Sequence, residues 1–127
     1  MTGKSMRPTD AEVEILSVLW ELGPCTVRQV HDELTKKREM GYTTVLKLMQ
    51  LMFEKALLLR DESQRSHIYR PKQKADTMQR RIVKDMISRV FYGSADKLVM
   101  QALSTKKATS QQIEQIRKML DEMEGKQ

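Results

Sequence analysis

The sequence predicts a mainly α-helical protein that contains one small β-hairpin. In the first half of the chain, apolar residues recur at helical spacing in three segments that are separated by tight turns. Two runs of strand-forming residues, LLLRD and HIYRP, then flank the polar stretch ESQRS. Helical spacing returns after Asp76. Three helices followed by a hairpin form a winged helix-turn-helix unit, and a helical region follows it.

Two capping boxes mark the starts of the first two helices. Glu12 follows Thr9 after three residues, and Gln29 follows Thr26 at the same distance. Gly23-Pro24 ends the first helix. The residues at helical spacing on the expected core faces are Ala11, Ile15, Val18, Leu19 and Leu22 in the first helix and Val27, Val30 and Leu34 in the second.

The third helical segment begins after Gly41 and is apolar on most sides. With about 100° of rotation per residue, its expected core face consists of Val45, Leu48, Met49, Met52 and Ala56. The opposite face is a narrow polar stripe that consists of Thr43, Lys47, Gln50 and Glu54. Leu46 and Leu51 flank this stripe, and we expect both to be partly exposed.

The polar stripe is a candidate DNA-binding surface. In a helix-turn-helix, the second helix of the motif enters the major groove and presents its N-terminal residues to base edges. Lys47 can donate to guanine, Gln50 can pair with adenine, and Thr43 and Thr44 can contact a phosphate or a thymine methyl group. The alternative is an ordinary solvent-exposed helix face. The hairpin that follows favours DNA contact.

The hairpin contributes further candidates for DNA contact. Arg60, Arg65 and Arg70 lie on or near it and could contact phosphates or the minor groove. Arg28, near the start of the second helix, is a weaker phosphate candidate than these three. Each could equally be an ordinary surface arginine. Pro71 ends the hairpin, and we place the boundary between a DNA-binding domain, residues 1–73, and a second domain, residues 74–127, just after it.

The second domain is predicted to consist of thin amphipathic helices that need a partner. Gly93 ends its first helix, Ser94 can cap the next, and Thr109 or Ser110 can cap the last. So few residues in three helices form a poor core of their own, and a second copy of the chain is the simplest remedy. The residues expected at this dimer interface are Ile82, Met86, Val90, Phe91, Leu98, Ile113, Ile116 and Leu120.

Composition narrows the choice of partner and compartment. The chain has 23 basic and 17 acidic residues and a formal net charge of +6, which makes an anionic partner such as DNA plausible. The single cysteine, Cys25, provides no intrachain disulfide and fits a reducing compartment. We therefore expect a cytoplasmic protein without membrane insertion, since the N-terminus does not resemble a signal peptide and no apolar run is long enough to span a bilayer.

The residues that could carry chemistry do not form a recognisable constellation. His31, His67 and Cys25 are too few and wrongly spaced for a metal site. There is no glycine-rich phosphate loop, no Ser-His-Asp arrangement and no evident carboxylate pair. We therefore expect neither a metal nor another cofactor, and no enzymatic activity.

Two motifs carry a family resemblance that covers almost the whole chain. PTDAEVEILSVLW, from Pro8 to Trp20, and YTTV, from Tyr42 to Val45, resemble the penicillinase-repressor family, also called the BlaI/MecI/CopY type. The resemblance implies a winged helix, a C-terminal helical dimerisation region and binding to a palindromic operator near a promoter. The chain departs from the family where many members carry an arginine, since it has Leu51 there.

The C-terminal helices differ from two branches of the family. The copper-responsive branch has a cysteine-rich site near its C-terminus, whereas this chain ends in DEMEGKQ. In the β-lactam branch a membrane-bound sensor protease cuts an Asn-Phe bond, and the matching residues here are Gln101 and Ala102. The resemblance makes such a protease a candidate partner, but we expect that branch's cleavage specificity not to carry over.

These observations predict a homodimeric repressor without catalytic activity. Its third helix and hairpin would bind the two halves of a pseudo-palindromic double-stranded operator, and disruption of the dimer would release it. The alternative is a winged helix that serves as a protein-interaction module.

Overall fold

A computed structural model describes residues 8–125 of the chain. In chain order, its elements are α1 (Asp10–Leu22), α2 (Val27–Leu34), α3 (Tyr42–Glu54), β1 (Leu58–Asp61), β2 (Ile68–Pro71), α4 (Ala75–Arg89), α5 (Ala95–Thr105) and α6 (Ser110–Met123). Three helices and an antiparallel hairpin come first, and three helices follow. The predicted fold, a winged helix-turn-helix followed by a helical region, is confirmed.

The chain forms two compact units, one that extends to Ile82 and one that begins at Val83. This division lies within α4. Met78 in the second turn of α4 is 2% exposed, and Ile82 packs against the same core. Trp20 at the end of α1 donates a hydrogen bond from Nε1 to the backbone oxygen of Gln73 at 3.0 Å. The first unit therefore includes the beginning of α4, and the boundary after residue 73 stays a prediction.

The helix starts are where the sequence places them. The Thr9 hydroxyl accepts a hydrogen bond from the Glu12 amide at 3.2 Å, and Glu12 accepts one from the Thr9 amide at 2.9 Å. Thr26 and Gln29 repeat the arrangement at the start of α2. Thr109, not Ser110, caps α6, and Ser94 caps α5. These bonds satisfy amides that have no partner within the helix.

The core of the first unit draws on all three helices, the hairpin and the start of α4. Its buried residues are Ile15, Leu16, Val18, Leu19, Cys25, Val27, Val30, Leu34, Val45, Met49, Met52, Leu58, Tyr69 and Met78. Two expectations for this core are wrong. Leu22, the last residue of α1, is 51% exposed. Ala56 is exposed and lies beyond α3, because the chain reverses there with a φ of 65° and the Leu57 amide donates to the Met52 oxygen.

The hairpin is tied to the turn between α1 and α2. In its register Arg60 lies opposite Tyr69, and Leu59 lies opposite Arg70. The Cys25 amide donates to the Tyr69 oxygen at 3.0 Å, and the Tyr69 amide donates to the Cys25 oxygen at 2.8 Å. These two bonds add a one-residue bridge to β2 that the sequence did not reveal. Burial raises the pKa of the Cys25 thiol, and the nearby Glu33 adds to this effect.

The second unit leaves much apolar surface uncovered. In α5 and α6, both described in full, no residue is buried. Large apolar side chains of this unit that are exposed are Val83, Val90, Tyr92, Val99, Met100, Leu103, Ile113, Met119, Leu120 and Met123. Exposed apolar patches mark interaction sites, which makes this unit a candidate for one.

None of the helices within residues 8–125 combines the length and the apolar character needed to cross a lipid bilayer. In the same residues, His, Cys, Asp and Glu side chains form no group of three or more that could hold a metal ion.

Candidate nucleic-acid interface

Helix α3 has one apolar face buried in the core and an opposite polar face that is exposed. Val45, Met49 and Met52 have no solvent exposure, and their side chains fix the helix to the core. The outward stripe of Thr43, Lys47, Gln50 and Glu54 is exposed. The predicted division of α3 into a buried and a polar face is therefore confirmed. Leu46 is half-buried and Leu51 is 42% exposed, so the expected partial exposure of both is confirmed as well.

A cleft of about 610 Å³ separates α2 and α3 from the hairpin. Its lining residues include Arg28 from α2, Gln50 and Leu46 from α3, and Arg65 from the hairpin tip. Three predicted DNA-contacting residues from three elements therefore meet at one surface. Thr43, Thr44 and Lys47 are exposed outside the cleft lining. Gln50 thus faces the hairpin side of α3, and Lys47 faces open solvent.

Arg28 is held at the first turn of α3 by an aromatic ring. Its guanidinium carbon lies 4.8 Å from the centroid of the Tyr42 ring, a geometry that attracts a cation to the ring face. Tyr42 in turn contacts the edge of the His31 ring, with 5.8 Å between centroids. His31 donates a hydrogen bond from Nε2 to the Met40 oxygen at 2.9 Å. These contacts leave Arg28 exposed beside the start of the outward stripe.

The hairpin tip is shaped by a local turn. The Ser63 amide donates to the Asp61 carboxylate at 2.9 Å. Hydrogen bonding from Ser63 is the main reason that the pKa of Asp61 is lowered, and the charges of Arg70 and His67 add to it. Arg65 lies in this exposed tip, and Arg70 is exposed on β2. Both arginines can therefore contact an anion outside the protein.

Arg60 contacts other residues of the protein, whereas Arg65 and Arg70 are exposed. The Arg60 side chain is only 19% exposed, and Nε donates to a Glu62 carboxylate oxygen at 2.7 Å. The guanidinium carbon lies 3.9 Å from the centroid of the Phe53 ring. The protein itself engages the charge and the planar face of Arg60, which makes its expected contact with DNA less favourable.

Strand alternation, which was available in the sequence, explains the position of Arg60. Successive side chains of a strand point to opposite faces. Arg60 is two residues after the buried Leu58 and opposite the buried Tyr69, so it belongs to the inner face of the hairpin. Arg70 lies opposite Leu59 and therefore belongs to the outer face.

An ion pair that the sequence did not reveal fixes the end of α3. Lys55 donates from Nζ to a Glu12 carboxylate oxygen at 2.6 Å, and the Glu12 side chain is only 5% exposed. The other carboxylate oxygen of Glu12 accepts the Thr9 amide. Glu12 therefore caps α1 and also joins it to the residue after α3. The capping box already explained why a glutamate occupies position 12. Nothing in the sequence indicated that Lys55 would also bind it.

The expected dimer-interface residues are partly or largely exposed within one chain. Val90, Ile113 and Leu120 are exposed, and the other predicted residues, Met86, Phe91, Leu98, Ile116 and Ile82, are half-buried. Of these, Ile82 packs against the core of the first unit. Leu103, Ile116 and Met119 also line a cleft of about 450 Å³ between α5 and α6. Gln101 and Ala102 are exposed within α5.

The model of the penicillinase repressor family matches residues 8–122. The transcriptional regulator BlaI of Mycobacterium tuberculosis is 39% identical over 69 residues, which are 54% of this chain and 50% of that protein. The chain thus spans about half the length of that relative.

Two other relatives align over nearly their whole length. The penicillinase repressor of Staphylococcus aureus is 20% identical over 126 residues, which are 99% of this chain and 100% of that protein. The methicillin resistance regulatory protein MecI of Mammaliicoccus sciuri is 19% identical over 121 residues, which are 95% and 98% of the two chains. The family match begins just before α1 and extends almost to the end of α6. This chain therefore belongs to the penicillinase repressor family.

Proposed function

We propose that this protein is a homodimeric transcriptional repressor that binds a pseudo-palindromic DNA operator through α3 and the hairpin. The observation that carries the proposal is the division of α3 into two faces. Its polar stripe is exposed, and the opposite face contains three residues without solvent exposure, Val45, Met49 and Met52. The cleft beside this stripe brings in Arg28 and Arg65. One relative that is named as a repressor, and the penicillinase repressor family to which the chain belongs, support the same function.

The exposed residues divide into two kinds of DNA contact. Lys47 and Gln50 are suited to hydrogen bonds with base edges, which carry sequence information. Thr43 and Thr44 lie in the first turn of α3 and are suited to a phosphate or a thymine methyl group. The exposed arginines are suited to phosphates, which set affinity and register; these are Arg28, Arg65 and Arg70. Arg60 is excluded from this set.

The second unit is proposed to join two copies of the chain. Its exposed apolar side chains need a cover, and a second copy offers the same surface in return. The proposed interface residues are Met86, Val90, Phe91, Leu98, Ile113, Ile116 and Leu120. Ile82, which the sequence also suggested, is left out because it packs against the core of the first unit. A two-fold axis would present two α3 helices to successive major grooves, as helix-turn-helix dimers do.

Titration of the full-length protein with duplex DNA at several salt concentrations tests the proposal. A protein that neutralises phosphates releases counterions, so the logarithm of its binding constant falls linearly with the logarithm of salt concentration. We expect this dependence on any duplex and tighter binding on the operator. Binding that is absent or independent of salt would contradict the proposal and would favour the protein-interaction alternative.

The variants Lys47→Ala and Gln50→Ala are expected to weaken operator binding more than binding to a scrambled duplex. Each good base contact provides about 1–3 kcal/mol of discrimination. The measurement is a pair of titrations for each variant. Lys118→Ala removes the same charge from α6 as Lys47→Ala removes from α3 and serves as the control. Equal losses on operator and scrambled duplex would show that Lys47 and Gln50 contact only the DNA backbone.

Release from DNA is proposed to follow from loss of the dimer, as in the β-lactam branch, but by a different trigger. Gln101 and Ala102 stand where that branch has its Asn-Phe bond. We expect a β-lactam-activated sensor protease of that branch to leave this protein intact. A family member that carries the Asn-Phe bond is the positive control.

The double variant Gln101→Asn with Ala102→Phe introduces an Asn-Phe bond. It should become sensitive to the protease if the lack of that bond is what protects the unaltered chain. Gel electrophoresis of timed digests distinguishes the outcomes. Efficient cleavage of the unaltered chain between Gln101 and Ala102, with loss of operator binding, would contradict the expectation.

A further inference from the structure

The guanidinium of Arg60 joins three parts of the winged-helix unit. It lies on the face of Phe53 in the last turn of α3, with 3.9 Å between its central carbon and the ring centroid. Its Nε donates to Glu62 at 2.7 Å, at the start of the hairpin tip, and Nη2 forms an ion pair with the same carboxylate. Its Nη1 lies 3.5 Å from the hydroxyl of Tyr69 on β2. One planar cation therefore contacts α3, the tip and the second strand.

The Cys25 bridge holds the hairpin at Tyr69, and the hairpin tip extends beyond that residue. The hairpin ladder pairs only four residues on each strand, and an isolated two-stranded hairpin is at best marginally stable in water. The inner face offers the buried Leu58 at its base and the buried Tyr69 two pairs further along. Arg60 lies opposite Tyr69, one pair before the end of the ladder at the tip. Its contacts with Phe53 and Glu62 therefore fix the outer part of the hairpin, which carries Arg65.

We propose that Arg60 is a positioning residue that fixes the hairpin against the end of α3 and so places Arg65 on a DNA phosphate, without contacting DNA itself. This inference rests on the proposed DNA-binding function. It separates the hairpin arginines by role: Arg65 and Arg70 meet the phosphates, and Arg60 sets where Arg65 lies.

A double-mutant cycle on the full-length chain tests the proposal through the salt dependence of operator binding. The slope of log affinity against log salt is negative, and each phosphate contact that is lost makes it shallower by about 0.9. We expect Arg65→Ala to make the slope shallower by that amount. Arg60→Met keeps an apolar stem on Phe53 but removes the guanidinium, and it should make the slope equally shallow. The double variant should lose no more than either single variant.

Additive losses in the double variant, about twice the slope change of one contact, would overturn the proposal because they would show two independent phosphate contacts. An unchanged slope and affinity in Arg60→Met would overturn it as well. So would an unchanged slope in Arg65→Ala, since Arg60 would then have no contact to position. Failure of the unaltered protein to bind DNA would instead contradict the proposed function.

Two further variants separate positioning from charge and from simple destabilisation. Arg60→Lys keeps the charge but loses the planar group, so it should resemble Arg60→Met; a slope equal to that of the unaltered chain would indicate direct phosphate contact and overturn the proposal. Arg70→Met removes the same charge from the outer face of the same hairpin, and its effect should add to that of Arg65→Ala. If the effects of Arg70→Met and Arg65→Ala were also non-additive, the assignment to Arg60 would be overturned, because any substitution in the hairpin would then remove the Arg65 contact. All titrations are made well below the thermal unfolding midpoint of each variant.

Discussion

A chain that ends at Arg89 is expected to remain folded but to bind the operator about 10²–10⁴-fold more weakly than the full-length protein, because a joined second module makes its contact effectively intramolecular. The truncation keeps Met78 and Ile82, which complete the core of the first unit. It removes α5 and α6, in which no side chain is buried within one chain. Operator binding should therefore fall although no proposed DNA-contacting residue is altered.

The proposed dimer would bury apolar side chains that are exposed in one chain. A fully buried leucine, isoleucine or valine contributes roughly 1.5–3 kcal/mol by its removal from water. Several such residues are exposed in the second unit of one chain, including Val90, Leu103 and Leu120. Sedimentation should show a dimer for the full-length protein and a monomer for the truncated chain. A truncated chain that still sediments as a dimer would contradict the assignment of the interface to this unit.

A single substitution in the full-length chain checks the same interface without truncation. Leu120→Glu places a charge on the apolar side of α6, which also includes Ile113 and Ile116. Lys118→Gln changes the net charge equally but lies on the opposite side of that helix by helical phase. We expect the first variant to weaken both self-association and operator binding, and the second to change neither. Equal effects of the two variants would point to net charge rather than to the interface.

The position of the cut also distinguishes the two definitions of the first unit. A chain that ends at residue 75 loses Met78, which is 2% exposed, and should therefore unfold more readily than the chain that ends at Arg89. Thermal unfolding of both chains would measure this difference.

Local features of this fold could be predicted from the sequence because they depend on nearby residues. The capping boxes at Thr9 and Thr26 need only a partner three residues away. The buried and polar faces of α3 follow from helical phase alone. Both predictions were confirmed. The exposure of Ala56 could not be predicted this way, since the end of α3 depends on a reversal of the backbone into β1.

The contacts that the sequence did not reveal join residues far apart in the chain. Glu12 and Lys55 are 43 positions apart, and their ion pair is set by how α1 packs near the end of α3. Cys25 and Tyr69 pair through their backbones, which carry no residue-specific signal. The position of Arg60 was misjudged for a different reason. Strand alternation placed its side chain on the inner face, but its positive charge suggested an outward position. Charge was a weaker guide than strand phase at that position.

Met49→Ala is expected to lower the free energy of unfolding of the first unit by about 2–5 kcal/mol, the usual range for loss of a large buried side chain. Met49 has no solvent exposure and lies in the middle of α3. Its removal would leave a cavity between α3 and the core. Because domains of this size are stable by only about 5–15 kcal/mol, a substantial fraction of that stability would be lost.

Leu51→Ala is the matched control for Met49→Ala. It removes a side chain of similar size two residues further along α3, but Leu51 is 42% exposed, so we expect a smaller loss of stability. Denaturation in urea, followed by the fluorescence of the single tryptophan, Trp20, measures both variants on the first unit. The midpoint of Met49→Ala should fall while its denaturant slope stays the same. Equal losses in the two variants would mean that α3 is not anchored through Met49. Some other contact would then hold α3 on the core, and the assignment of one face of α3 to the core and the other to DNA would be wrong.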